Sequence, residues 1–172
     1  MDNIIYVKKE DNHYVLTFKN IKTVCYIGKN GLTKEKKEGD LKTPIGTFKL
    51  GLIFGTHDEE EIKKYCNLQY IKINEYLFWI DDINSKYYNQ LVDISKVEKE
   101  WLSAENLLKN ATPYEYAIEI KTNPNNIPGK GSAIFLHCKR KNYTAGCISL
   151  PKEILVEILK RIDNNTIIKI DE

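Results

Sequence analysis

Two residues near the C-terminus have the types and spacing of a thiol nucleophile and its base. His137 ends an apolar run, and Cys147 follows ten residues later, directly after Thr144-Ala145-Gly146. A thiol with an ordinary pKa of about 8.5 is mostly protonated at neutral pH. An imidazole beside it can take the proton and activate the sulfur. The spacing therefore predicts nucleophilic catalysis, provided that two strand ends bring the imidazole and the thiol together.

Gly146 and Cys138 are the other groups that the sequence assigns to this site. Because glycine lacks a Cβ, the main chain at Gly146 can approach a substrate carbonyl closely. Its N–H and that of Cys147 can then donate to an oxyanion. A base also needs a group that orients it, and no Asp or Glu lies between positions 131 and 151. The nearest main-chain acceptor for the imidazole is the carbonyl of Cys138.

Other interpretations of these residues stay open on chemistry alone. A histidine at a strand end is often structural. A zinc site built from His137, Cys138 and Cys147 is disfavoured, because neighbouring residues of a strand point to opposite faces and a C-x2-4-C pair is absent. A Cys138–Cys147 disulfide ranks below free thiols, and Cys25 and Cys66 are expected to be buried thiols. The sequence thus predicts neither a metal site nor a cofactor.

Length, charge and hydropathy limit the class of protein. The chain has 172 residues, which fits one domain spanning positions 1–172, with 26 basic and 24 acidic residues and a net charge of +2. Dispersed charges of this balance argue against a nucleic-acid partner. No apolar run approaches the roughly 18 residues of a membrane span, and no signal peptide is visible. We expect a monomer without a membrane span.

Short apolar runs separated by turns predict the elements that must position the site. We expect strands in NIIYVKK, HYVLTFKN, IKTVCYIG, GTFKLGLIF, LQYIKI, YLFWIDD, YEYAIEIKT, SAIFLH, CISL and NTIIKIDE. The segment GKNGLTKEKKEGDLKTPIGTF reads as a loop. Helical segments are expected in HDEEEIKKYC, in WLSAENLLKN, and in KEILVEILKRI after Pro151. The pattern predicts a mainly β (α+β), sandwich-like domain with a few peripheral helices.

The motif around the predicted nucleophile resembles the signature of the L,D-transpeptidase catalytic domain family, also called YkuD-like. That signature is a histidine at a strand end, a variable loop, then Ser/Thr-x-Gly-Cys and a branched apolar residue, here His137 and Thr144 to Ile148. GKNGLTKEKKEGDLKTPIGTF resembles the family segment that ends in G-D-x-K-T-P-x-G-x-F. WIDDINSKYYNQLV, and PGKGSAIFLH running into TAGCISLP, resemble one bacterial branch. The resemblance extends from about Gly28 to Leu150.

The resemblance implies peptidoglycan chemistry, and with it a role in bacterial cell-wall biogenesis and cell shape. Members attack the peptide bond after a diaminopimelate or similar L-centre of a stem peptide, release the terminal D-amino acid and form a thioester. An amine then takes the acyl group, giving cross-linking or D-amino acid exchange. The implied place of action is the cell wall or periplasm, with any leader or anchor outside this chain. A cytoplasmic location stays open.

Residue by residue, the resemblance makes Cys147 the nucleophile and His137 the base. It makes the Cys138 carbonyl the orienting group, and the N–H groups of Gly146 and Cys147 the oxyanion donors. Many members have His before the glycine, where this chain has Ala145. Many also have Arg or Asn shortly after the cysteine, where this chain has a serine.

Four residues are candidates for substrate binding. Thr144 is expected to shape the loop or contact substrate. Tyr88 and Asn89 match the branch's middle segment and are placed near the cleft, although packing of a loop on the sheet is as good an explanation. Arg140, with its two neighbouring lysines, is suited either to stem-peptide carboxylates or to solvent.

Three rival functions follow from the same residues. An L,D-carboxypeptidase would use the same dyad with water as acceptor. A non-catalytic peptidoglycan-binding domain would keep the fold with an unreactive thiol. A cytoplasmic thiol enzyme would act on an unrelated acyl substrate. The intact His137, Gly146 and Cys147 favour an enzyme over the binding domain.

Overall fold

β-Strands dominate the computed structural model, which describes residues 2–172. The strands are β1 Ile4–Glu10, β2 His13–Phe18, β3 Ile21–Cys25, β4 Leu32–Thr33, β5 Thr43–Pro44, β6 Gly46–Gly55, β7 Tyr70–Lys72, β8 Leu77–Ile80, β9 Leu91–Asp93, β10 Ala104–Asn106, β11 Tyr116–Ile120, β12 Phe135–Cys138, β13 Ile148–Leu150 and β14 Ile167–Ile170. The helices are α1 Glu59–Lys63 and α2 Lys152–Leu159, and Leu108–Asn110 forms a 3-10 turn.

One large mixed sheet contains nine strands and nearly closes on itself. Its order is β13-β12-β11-β6-β14-β1-β2-β3, and β7 pairs with β6 outside this path. The two ends of the path meet where Tyr26, just after β3, pairs with Ser149 of β13 through two main-chain hydrogen bonds of 2.9 Å. The result is barrel-like, because a sheet whose ends meet removes its own edges. The prediction of a mainly β fold with a few helices is confirmed.

The last strand, β14, lies in the middle of the large sheet. It runs parallel to β1 and antiparallel to β6. Its alternating apolar residues explain the placement, because Ile168 and Ile170 are buried in the same core as Ile5 and Val7 of β1. The chain terminus therefore completes the sheet that carries the candidate site.

A smaller sheet, in the order β10-β8-β9, packs beside the large one. Trp79 of β8 lies edge-on to Phe135 of β12 with ring centroids 4.8 Å apart, and Phe54 and Tyr114 complete the aromatic cluster. Phe135 starts β12, the strand that carries His137. The aromatic cluster thus fixes the small sheet against the strand that carries the predicted base.

Most predicted elements are confirmed, and the helix in WLSAENLLKN is wrong. The segment Ala104–Asn106 pairs with β8 instead, and only a 3-10 turn follows it. Trp101 is buried whereas Leu102 is 94% exposed, so the apolar residues do not share one helical face. Pairing along β8 satisfies main-chain groups that a three-turn helix closed by Pro113 would leave free.

Three smaller differences concern the other elements. The strand β11 is buried on both faces, whereas the sequence pattern indicated a half-buried strand; Ile118 and its neighbours on one face pack into one core cluster and Ala117 on the other face into a second. Pro151 is the N-cap of α2 rather than its first-turn residue, and the helix ends at Leu159.

In residues 2–172, no helix is long and apolar enough to cross a membrane.

Truncation of Ile168 tests the central position of β14. The side chain is fully buried between β1 and β6, so Ile168→Ala should lower the free energy of unfolding by about 2–5 kcal/mol. Urea denaturation measures the loss. Val24→Ala, at a 41% exposed position on β3, is the matched control and should cost much less. Equal losses for the two variants would contradict this account of the sheet.

Candidate active site

The parallel pairing of β12 and β13 places the two predicted catalytic side chains on one face. His137 is in register with Ser149, and Leu136 with Ile148. Cys147 lies two residues before Ser149, so the period-two alternation of a strand directs both toward the face of His137. All three residues line one cleft of about 430 Å³. The structure therefore brings imidazole and thiol into the same cleft, as the spacing predicted.

The imidazole of His137 is held by the main chain of the next residue. Its Nδ1 lies 2.9 Å from the carbonyl oxygen of Cys138. Because a carbonyl only accepts, Nδ1 must carry the proton, which leaves the Nε2 lone pair available as a base. Burial lowers the pKa of His137, although the bond to Cys138 acts in the opposite direction. The resting imidazole is therefore neutral, in the tautomer that general-base catalysis needs.

The thiol of Cys147 is buried and bonded to the main chain. It accepts a hydrogen bond of 3.3 Å from the Phe135 N–H and donates one of 3.1 Å to the Ala133 carbonyl. Burial raises the pKa of Cys147 to about 12, and the nearby Glu105 carboxylate adds to the rise. Within residues 2–172 no hydrogen bond joins this sulfur to His137. Such bonds often form only when substrate is bound.

The turn before the nucleophile is fixed by the hydroxyl of Thr144. This oxygen accepts a hydrogen bond of 3.0 Å from the Gly146 N–H and donates one of 2.5 Å to the Cys147 carbonyl. Thr144 is buried and also lines the cleft. Of the two roles considered for Thr144, shaping the loop is the one with visible contacts.

The backbone conformation and close packing at position 146 require a glycine. Its φ is +143°, a conformation that L side chains rarely adopt. A Cβ there would lie 3.0 Å from the Lys42 carbonyl oxygen and 3.2 Å from Ile134 Cδ1. Close packing against the protein, rather than against a substrate carbonyl, thus requires the glycine. Since the Gly146 N–H already bonds to Thr144, its predicted role as an oxyanion donor does not fit this structure.

The Cys147 N–H remains as a candidate oxyanion donor. It donates to no group of residues 2–172, and it belongs to the residue that would carry the acyl group. An unpaired main-chain donor next to a nucleophile is suited to a developing oxyanion.

A loop distant in sequence holds the turn before Cys147, and the sequence did not predict a role for its side chains. The buried Thr43 hydroxyl accepts from the Gly28 N–H at 2.8 Å and donates to the Gly146 carbonyl at 2.7 Å. Thr43 belongs to the segment GDLKTP, where the resemblance to the family was noted. That resemblance was the signal that could have identified it.

Asp40 organises the same loop. Its carboxylate accepts from Lys36 Nζ at 2.5 Å and from the N–H groups of Lys37 and Lys42 at 2.9 Å. Burial acts to raise the pKa of Asp40, but these bonds, that of Lys36 foremost, lower it. Lys36 also donates to the Lys42 carbonyl, which is the atom that packs against Gly146.

Tyr88 and Asn89 do not line the cleft themselves, but they lie next to it, because they bond to Glu38 and Ala133, which do. Of the two explanations given for them, packing of a loop is the one with visible contacts. Tyr88 is 2% exposed; it donates to Glu38 at 2.7 Å and accepts from the Gly131 N–H at 3.0 Å. Asn89 Oδ1 accepts hydrogen bonds of 3.1 Å from Trp79 Nε1 and from the Ala133 N–H. These contacts fix the segment 131–133, whose Ala133 carbonyl touches the nucleophile.

The three basic residues that follow β12, at positions 139 to 141, do not all lie at the cleft. Arg140 and Lys141 are exposed and line the mouth of the cleft. Lys139 instead lies over the ring of Tyr26, 4.6 Å from its centroid. Arg140 is thus placed to meet an anionic ligand, whereas Lys139 is not.

The cleft is also lined by acidic residues that no sequence motif indicated. Asp81 and Glu105 line the cleft, and the Tyr114 hydroxyl donates a hydrogen bond to Glu105. The Tyr114 ring lies edge-on to His137 with centroids 5.6 Å apart. Burial raises the pKa of both Tyr114 and Glu105. No motif marks these residues, because segments far apart in sequence bring them together.

Residues 2–172 contain neither a disulfide nor a cluster of side chains arranged to bind zinc. All four cysteines are free and buried. No cluster of three or more His, Cys, Asp or Glu in the described chain has the spacing to hold a metal ion. Cys138 points away from the cleft, with its sulfur 3.6 Å from the Tyr116 carbonyl. This direction agrees with the opposite faces expected for adjacent strand residues.

Comparison with known proteins gives a family for the chain. The family model described as YkuD, L,D-transpeptidase catalytic domain, matches residues 2–170. The match covers both the cleft and the strands that form it. Among curated proteins, no sequence matches the chain.

Substitution of Thr144 tests the role of its hydroxyl in the nucleophile turn. Thr144→Val should lower the free energy of unfolding by about 1–3 kcal/mol, because it leaves the Gly146 N–H and the Cys147 carbonyl without their partner. Thermal and urea denaturation measure the change. Thr144→Ser keeps the hydroxyl and should retain most of the stability; equal losses in both variants would contradict the assignment.

The resting state of the dyad can be tested by the pH dependence of alkylation. With the pKa of Cys147 raised to about 12, the thiolate fraction is small at neutral pH and rises about tenfold per pH unit. Iodoacetamide modification of Cys147, followed by peptide mapping, should therefore accelerate up to about pH 10. The denatured chain, whose thiols titrate near about 8.5, is the control. A plateau below about pH 8 in the folded protein would indicate a thiolate–imidazolium pair instead.

Proposed function

Because the chain belongs to the YkuD L,D-transpeptidase catalytic domain family, we propose that it is a cysteine-dependent L,D-transpeptidase acting on peptidoglycan stem peptides. The observation that carries this proposal is the common cleft of His137 and Cys147, with Nδ1 of the base held by the Cys138 carbonyl. This arrangement is the constellation of nucleophile, base and orienting group that acyl transfer requires. The reaction needs no metal and no cofactor.

The first half-reaction forms a thioester on Cys147. Nε2 of His137 takes the thiol proton after the Cys147 side chain turns from the Ala133 carbonyl toward the imidazole. The sulfur then bonds to the carbonyl carbon of the L-centre, and the Cys147 N–H donates to the oxygen that becomes negative. The C–N bond breaks, and His137 returns the proton to the departing D-amino acid.

The second half-reaction releases the acyl group to an amine. The amine nitrogen bonds to the thioester carbon, the C–S bond breaks, and the amine proton passes by way of His137 to the sulfur. Water in place of the amine would give a free tripeptide, as in an L,D-carboxypeptidase. Arg140 at the cleft mouth is placed to meet a stem-peptide carboxylate during either step.

The supporting residues fit an enzyme better than a binding domain. The side chains of Thr43, Thr144 and Asn89 form hydrogen bonds with the main chain of residues that surround the Cys147 side chain. A domain that only bound peptidoglycan would have no need for a positioned thiol and a fixed imidazole tautomer. We propose one catalytic domain over residues 1–172, acting as a monomer at the cell wall.

Acylation by a carbapenem tests the nucleophile directly. Intact-mass spectrometry should show one adduct on the wild type and none on Cys147→Ala. His137→Ala should slow formation of the adduct by about 10²–10⁴-fold, because proton removal by a positioned base contributes that much. Cys138→Ala, which leaves the orienting carbonyl in place, is the control and should still be acylated. A folded wild type with a reduced Cys147 and no adduct would contradict an acyl-accepting thiol.

Product analysis separates transfer from hydrolysis. A tetrapeptide stem and a second stem that supplies an amine should yield a cross-linked dimer and a free D-amino acid, read by mass spectrometry. Exclusive release of the tripeptide at high acceptor concentration would assign the L,D-carboxypeptidase reaction instead. Bound peptide with no product, unchanged in Cys147→Ala, would assign a binding domain.

A further inference from the structure

Asp81 and Glu105 form an acidic wall of the cleft that contains the dyad, and neither carboxylate has a cationic partner among the described residues. Glu105 pairs across the small sheet with Trp79. Asp81 lies two residues beyond Trp79, so the alternation of the strand places both carboxylates on one face. Both line the cleft of Cys147. Among residues 2–172, no Lys, Arg or His nitrogen lies within 4.0 Å of either carboxylate.

The contacts that these carboxylates do make fix them without neutralising them. Glu105 accepts from the Tyr114 hydroxyl, and Asp81 accepts from the Ser103 hydroxyl at 2.6 Å. Neutral donors orient a carboxylate but leave its charge. By contrast, Asp40 in the neighbouring loop has its own cation in Lys36, which lines the cleft. Half-buried carboxylates without a cation are unfavourable in the unliganded protein and are suited to a cationic ligand.

A second, independent feature of the same cleft points to a ligand. The hydroxyl oxygen of Ser149 is buried, its residue is 1% exposed, and it has no hydrogen-bond partner in residues 2–172. Ser149 is in register with His137 and lines the cleft beside it. Buried hydroxyl groups are nearly always paired in folded proteins, so an orphan in a cleft indicates a group supplied from outside.

We propose that Asp81 and Glu105 form the binding site for the ammonium group of the acceptor amine, and that Ser149 contributes a hydrogen bond to the bound acceptor or acyl group. This inference rests on the proposed transfer reaction. The acidic wall makes the acceptor a primary amine that is cationic at neutral pH, and it favours that amine over water as the group that resolves the thioester.

The position of Glu105 also provides a route for the extra proton of an ammonium ion. Glu105 is close enough for its charge to raise the pKa of Cys147, and its own pKa is raised by burial and then by Asp81. A carboxylate with a raised pKa is a better proton acceptor. The ammonium gives one proton to Glu105; the neutral nitrogen then bonds to the thioester carbon as the C–S bond breaks. The second proton reaches the sulfur through His137.

The partition of one thioester between amine and water tests the inference. Wild type, Glu105→Gln and Asp81→Asn are each incubated with a tetrapeptide donor and increasing ethylamine, and the amide and the free tripeptide are quantified. The amide-to-tripeptide ratio is independent of the acylation rate, because both products come from the same acyl-enzyme. We expect the ratio to fall about tenfold or more in Glu105→Gln and severalfold in Asp81→Asn, because each loses an ionic contact.

A neutral acceptor and a surface variant are the controls. 2,2,2-Trifluoroethylamine is largely uncharged at neutral pH. With this acceptor, the amide-to-tripeptide ratio of both variants should therefore fall much less, relative to wild type, than it does with ethylamine. Glu98→Gln removes an exposed charge outside the cleft and should leave both ratios unchanged. Melting curves check that the variants fold. If Glu105→Gln does not fold, Asp81→Asn still provides a test.

The outcomes separate this inference from the proposed function. Thioester formation in the wild type with unchanged ethylamine ratios in both folded variants would overturn the ammonium site alone. Equal falls for ethylamine and trifluoroethylamine would also overturn it, because they would indicate a general effect on the cleft. A wild type that forms no thioester would overturn the proposed function and, with it, this inference.

Discussion

The candidate site depends on the parallel register between two short strands. Pairing of His137 with Ser149 sets which face of β13 meets the imidazole, and a slip by one residue would turn Cys147 away from His137. The same register leaves the carbonyl of Cys138 free to accept from Nδ1 of His137. One geometric constraint thus determines the place of the proposed nucleophile and the direction and tautomer of the proposed base.

Around this pair, the protein fixes the main chain rather than the thiol. Thr144 closes the nucleophile turn, Thr43 holds it from the neighbouring loop, and Asn89 holds the segment that contacts the sulfur. The thiol itself rests neutral against a carbonyl, because burial raises its pKa to about 12. In the proposed reaction, the neutral resting dyad leaves the thiol unreactive until a substrate displaces the contact with the Ala133 carbonyl. We propose that proton transfer to His137 then accompanies attack.

Sequence patterns predicted the dyad, the orienting carbonyl and most strands, because these follow from local spacing and alternation. They failed where contacts join distant segments. The pattern in WLSAENLLKN suited a helix, but pairing with β8 determines its structure. Gly146 was assigned to substrate approach, whereas the Lys42 carbonyl explains it. Tyr88 was expected near the cleft, with packing as the alternative, and its buried bond to the cleft-lining Glu38 gives it a packing role there. Asp81 and Glu105 had no motif, because only the small sheet brings them to the cleft.

The central claim, that the Cys138 carbonyl fixes His137 as a base directed at the cleft, is tested most directly by its tautomer. Two-dimensional ¹H–¹⁵N NMR of ring-labelled histidine, with His137→Ala to assign the signals, distinguishes the two ring nitrogens. At about pH 7.5 the account predicts a neutral ring with the proton on Nδ1 and an unprotonated Nε2, because burial lowers the pKa of His137. A proton on Nε2 alone, or a doubly protonated ring at this pH, would contradict it.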